Sequence, residues 1–172
     1  MTSDKNESFE SFLSNHISIV YNVFGNNFQK MNFGNDIHYT FSFLTKNYYE
    51  QSYKQLTIIT DKKEIIKEII IRFYPIIDLL FYNHLIINYG KPSSIKIFDS
   101  FESNNKSETE DKSFKQNLKM RIIKTKEGSF EENPLSIVWN KEKYQIHLLF
   151  RREYNVSDLI FKEYKLKTQH GI

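Results

Sequence analysis

Between Glu64 and Gly90 the chain carries its densest apolar run, and Pro75 stands in the middle of it. Ile65, Ile66, Ile69, Ile70 and Phe73 precede the proline; Ile76, Ile77, Leu79, Leu80, Phe81, Leu85, Ile86 and Ile87 follow it. Lys67, Glu68, Arg72, Asp78 and His84 interrupt the run, so it lacks the roughly 18 consecutive apolar residues of a membrane-spanning helix. The three- and four-residue spacing before Pro75 predicts a helix opening at Thr60-Asp61, with Glu64 as its reciprocal cap. Proline has no amide N–H and clashes with the preceding turn, so Pro75 must kink or end that helix. The piece from Ile76 to Asn88 is apolar nearly all round, which predicts a central buried helix. Gly90 and Pro92 are its stop signal.

The flanking segments read differently. Phe9, Phe12, Leu13, Ile17, Val20, Val23 and Phe24 recur at helical spacing, which predicts an amphipathic helix over 5–24 ended by Gly25. Residues 26–36 are rich in Asn and Gly and read as a loop. Ile37, Tyr39, Phe41 and Phe43 alternate with polar residues, giving a strand whose hairpin partner is Tyr53–Thr60. Ser94–Phe98, Leu118–Thr125, Ser136–Asn140, Tyr144–Arg152 and Leu159–Leu166 complete a strand meander. Asp99 to Asn117 holds five acids, three lysines and only Phe101 and Phe114 as large apolar residues. It reads as a flexible charged insertion, at about 99–117, in a single domain spanning 1–172. Runs of adjacent strands imply an α+β fold: an antiparallel sheet of about six to seven strands packed against an N-terminal helix and a Pro-broken central helix.

Tyr39, Phe41, Phe43, Leu44, Lys46 and Tyr49 match Tyr144, Ile146, Leu148, Leu149, Arg151 and Tyr154 at a constant offset, and each set follows a helix ending in aromatic-Gly. A duplicated helix–hairpin unit would produce this. So would any two amphipathic strands matched at alternating positions.

Composition narrows the chemistry. There is no Cys, so disulfides, thiolate metal sites and cysteine nucleophiles are excluded. The five glycines never cluster into a phosphate-cradling loop, and no serine sits in G-x-S-x-G. His16, His38, His84, His147 and His170 show no metal-ligand spacing, and neither a metal nor another cofactor is expected. His38 and His147 lie on strands, on the face opposite the large apolar residues, and are the one pair suited to acid–base work if the chain is an enzyme. Trp139 alternates with Leu135 and Ile137 and reads as a core plug with its N–H satisfied.

Net charge is +3, with a basic bias in the C-terminal half. Lys119, Arg121, Arg151 and Arg152, with Tyr154 beside them, are the candidate partner-binding residues. The expected function is a non-catalytic protein-binding module, of toxin-neutralising (immunity) type or chaperone-like, working in the cytoplasm. Its partner is another protein. Two alternatives stand beside it: a small-molecule or lipid-binding cavity protein, and nucleic-acid binding through the basic C-terminal sheet.

Overall fold

The computed structural model describes residues 8–103 and 121–164. Its strands are β1 (Phe28–Phe33), β2 (Asp36–Tyr48), β3 (Gln51–Thr60), β4 (Ile66–Phe73), β5 (Ser94–Ser103), β6 (Arg121–Glu127), β7 (Ser136–Asn140), β8 (Tyr144–Arg151) and β9 (Val156–Glu163). They form one sheet in the order β1-β2-β3-β4-β9-β8-β7-β5-β6, every pairing antiparallel. Two α-helices accompany it, α1 (Ser18–Phe24) and α2 (Leu79–Tyr89). The α+β class and the antiparallel sheet are as the patterning implies. Among the described residues the sheet has nine strands rather than six or seven.

The extra strands come from two segments read otherwise. Ile66–Phe73 is not a helix but β4, between β3 and β9. Its isoleucines satisfy both periods: Ile66, Ile69, Ile70 and Phe73 recur at helical spacing, while Ile69, Ile71 and Phe73 alternate. β-Branched side chains favour the pleated choice, and two flanking strands supply the hydrogen bonds. Asp61 accordingly caps a turn: its carboxylate accepts from the amides of Lys63 (2.8 Å) and Ile65 (3.0 Å). Phe28–Phe33, expected in a loop, is the edge strand β1, joined to β2 through Gly34-Asn35 with Gly34 at φ 60°. Glycine in the first central position is the requirement of a type II′ hairpin turn.

The N-terminal helix is also interrupted. A 3-10 turn at Phe9–Phe12 is separated from α1 by residues 13–17, which pair with the start of β4. Ser14 N–H donates to the Ile66 carbonyl, Ile66 N–H to Asn15, and Ile17 N–H to Glu64, at 2.8–2.9 Å. α2 forms where expected, capped by Asp78 and stopped at Gly90. It is not buried all round: Phe81, Leu85 and Tyr89 face the sheet, while Leu80 and Ile87 are 57% and 78% exposed. No helix among the described residues is long and apolar enough to cross a membrane.

The chain thus runs twice through a helix followed by antiparallel strands: α1 with β1–β4, then α2 with β5, β7, β8 and β9, β6 lying outside β5. The two runs meet where β4 pairs with β9. The sequence match equates β2 with β8, whereas counting outward from the central β4–β9 seam equates β3 with β8. The match is therefore one strand out of step with the sheet. β5 extends to Ser103, so the first five residues of the expected insertion belong to a strand, and Phe101 is exposed on it. Residues 104–117 lie outside the described residues.

The described helical segments pack on one face of the sheet. Phe9 reaches Tyr48, Tyr53, Phe24 and Phe161; Phe81 reaches Phe73; Tyr82 reaches Trp139 and Phe130. Trp139 is the core plug expected, its Nε1–H donating to the Gly90 carbonyl at 2.8 Å. The opposite face carries no described helix.

Candidate functional site on the open sheet face

The register fixes what the open face presents. One row of directly paired residues crosses eight strands: Ser42, Gln55, Arg72, Asp158, Leu149, Ser136, Lys96 and Glu127. The row beside it reads Thr40, Thr57, Ile70, Ile160, His147 and Val138. The central strands therefore offer half-buried aliphatic side chains next to charged ones.

Asp158 is the unusual member. Its side chain is 2% exposed although it points away from the helices. Arg72 of β4 sits opposite and holds it with two hydrogen bonds, Nε to Oδ1 at 2.7 Å and Nη2 to Oδ2 at 3.2 Å. Arg151, two residues beyond Leu149 on β8, places its Nε 3.1 Å from Oδ2. The Asp158 carboxylate raises the Arg72 pKa further, against the opposing effect of burial, and the Tyr74 side chain is a further polar neighbour. Tyr74 lies two residues past Arg72, hence on the same face, and is exposed. The result is a carboxylate clamped by two guanidiniums across β4, β9 and β8. The bidentate, charge-assisted contact fixes Arg72 in direction as well as place, and the ion pair draws Arg151 to the same carboxylate.

The five residues expected to bind a partner are not gathered here. Arg151 is in the cluster. Arg152 lies over the Phe150 ring, 5.4 Å from its centroid, and that ring belongs to the helix-covered side. Consecutive arginines thus serve opposite sides of the sheet. Tyr154 is exposed in the β8–β9 turn. Arg121 opens β6, with β7 and β5 between it and β8. Lys119 lies outside the described residues. The sequence does not mark Arg72 or Asp158: helical spacing puts Arg72 on a helix, and no local pattern sets Asp158 apart from a surface acid.

His38 and His147 both lie on the open face, as expected, but β3, β4 and β9 separate their strands. At about 4.8 Å per strand that is roughly 19 Å, too far for an acid–base pair on one substrate atom. Burial lowers the His147 pKa, so its imidazole stays neutral at neutral pH. His38 lies against the Phe33 ring, the two tilted 55° with centroids 4.6 Å apart.

A second polar group closes the other end of β4. Glu64 accepts from the Tyr39 hydroxyl at 2.5 Å and Lys30 Nζ at 2.8 Å, with His16 Nε2 at 3.5 Å. Burial, then the Glu64 hydrogen bond, pushes the Tyr39 pKa up to about 12, so its hydroxyl remains a donor. This group ties β1, β2, the β3–β4 turn and the N-terminal segment together. Among the described residues no His, Asp and Glu set gathers in a way that could hold a metal ion.

Comparison with protein-family models, with curated proteins and with solved structures returns no match.

Proposed function

We propose that this chain is a non-catalytic protein-binding module whose partner docks on the open face of the sheet. The observation that carries the reading is the make-up of that face over β4, β9 and β8. Half-buried Ile70, Ile160 and Leu149 adjoin a pair of arginines fixed by a buried aspartate. Apolar surface left open beside ordered Arg and Tyr is the composition of interface hot spots. The helix-covered side, filled by packed rings, gives no comparable support to a ligand cavity.

The basic residues of the C-terminal half also favour a protein over a nucleic acid. Lys162 pairs with Glu68, Lys126 with Asp99, Lys96 with Glu127 and Arg151 with Asp158. A phosphate backbone needs a track of cations in surplus, and these pairs dilute it. A toxin-neutralising (immunity) or chaperone-like role in the cytoplasm suits such a module, because it needs a complementary surface and no reacting group.

Hydroxyl-radical footprinting of the tagged chain with whatever protein co-purifies stoichiometrically tests this. Protection of Tyr74, His147 and Leu149, with Leu80 and Ile87 unprotected, is the expected pattern. Recovery of no stoichiometric protein, or protection confined to α2, would refute the reading.

A further inference from the structure

We infer that the Arg72–Arg151 pair, fixed from beneath by Asp158, is a carboxylate-binding site that reads an Asp or Glu side chain flanked by apolar residues on the protein partner. This rests on the open face being the docking surface. The first argument is charge. Two guanidiniums share one buried carboxylate, which leaves the cluster with one positive charge in excess. A monoanion completes the balance.

The second argument is donor supply. A guanidinium carries five N–H donors in a rigid fork. Asp158 engages two of those of Arg72, while Arg151 meets it as an ion pair, its side chain 50% exposed. Asp158 meets Arg151 at Nε, and the exposed half of the Arg151 side chain is what a second carboxylate can approach. Because the buried aspartate holds Arg72 by two hydrogen bonds and draws Arg151 beside it, a ligand carboxylate meets two guanidiniums already brought together, and less entropy is lost on binding.

The third argument is the surroundings. Leu149 lies beside Asp158 in its row, and Ile70 and Ile160 lie in the next. A bare phosphate would leave these side chains unmatched. An acidic residue between apolar ones covers both. Ion pairing of Lys162, Lys126 and Lys96 removes the cationic track that a polyanion would follow.

The probe is a blocked pentapeptide of alternating leucine and glutamate, with its glutamine counterpart as control. It is titrated into the full chain while the arginine Nε–H resonances are followed. Saturable shifts of the Arg72 and Arg151 resonances are expected, with affinity lost by about tenfold or more for the glutamine peptide and for Arg151→Gln. Arg151→Lys keeps the charge and removes the fork, and should still weaken binding. Lys62→Gln, in the turn between β3 and β4, removes an equal charge and should leave affinity within about twofold. Unmoved arginine resonances, or equal losses for Lys62→Gln and Arg151→Gln, would mean that the arginines only staple the sheet. Displacement of the peptide by oligothymidylate at low salt would assign the site to polyanions instead. If a partner still protects the open face of Arg151→Gln with unchanged affinity, the docking surface stands and the carboxylate site falls. If the peptide binds but no partner protects that face, the site stands and the docking surface falls.

Discussion

Asp158 shows how one side chain can organise two others, and its removal should be expensive. Asp158→Asn keeps the shape, discards the charge and leaves two guanidiniums facing each other. Breaking a fully buried ion pair costs roughly 3–5 kcal/mol, and partial exposure of both arginines lowers the expectation to about 2–3 kcal/mol. A shift of the urea midpoint at constant slope would measure it. The buried tyrosines set a different limit. Tyr39 is raised to about 12 by burial and by Glu64, and burial also raises Tyr48 and Tyr89, which hydrogen-bond to each other at 3.1 Å. In the folded chain these hydroxyls keep their protons above pH 10, where an unfolded tyrosine loses its own. The tyrosines' contribution to stability should therefore be flat below about pH 10 and fall as pH rises toward 12. Tyr39→Phe should make that fall shallower, which urea unfolding across the alkaline range would show. Alternation with Ile37, Phe41 and Phe43 already puts Tyr39 on the apolar side of its strand, whereas nothing local marks Asp158, or the pairing of Tyr48 with Tyr89, for burial.

At the scale of elements, α2 offers two contrasting substitutions. The Asp78 carboxylate accepts from the Phe81 amide at 2.9 Å, so Asp78→Ala should cost about 1 kcal/mol of unfolding free energy. Ile87→Lys, by contrast, should change stability by less than about 0.5 kcal/mol, because the side chain is 78% exposed. A loss of several kcal/mol there would mean that the outer side of α2 is covered. The sequence placed α2, β2, β3, β7 and β8 well, because each carries one clear period or one clear stop. It misplaced β4, whose isoleucines satisfy helix and strand spacing at once; only its neighbours decide between them. It missed β1, because an edge strand with exposed Met31 and Phe33 lacks a buried face to betray it. The error at β4 hid the site as well: Arg72 assigned to a helix could not be seen opposite Asp158, some 86 positions away.

For the whole molecule, the seam between β4 and β9 decides whether either run of helix and strands can stand alone. Residues 1–75 expressed by themselves would end in β4 with its far edge unpaired and Ile69, Ile70 and Ile71 along it. An apolar edge of this kind recruits other chains, so the fragment should sediment as aggregate, whereas the full chain should elute as a folded species. A monodisperse, folded fragment on size exclusion would show that the seam is dispensable. The seam also sets a schedule for the nascent chain. Phe73 must wait for Ser157, and Glu68 for Lys162, which are 84 and 94 residues later. At roughly 5–20 residues per second, the ribosome leaves the most isoleucine-rich strand without its second neighbour for about 4–19 s. During that interval the nascent β4 edge is open to other polypeptides, so the yield of folded protein depends on translation speed and on what shields that edge until the last strand emerges.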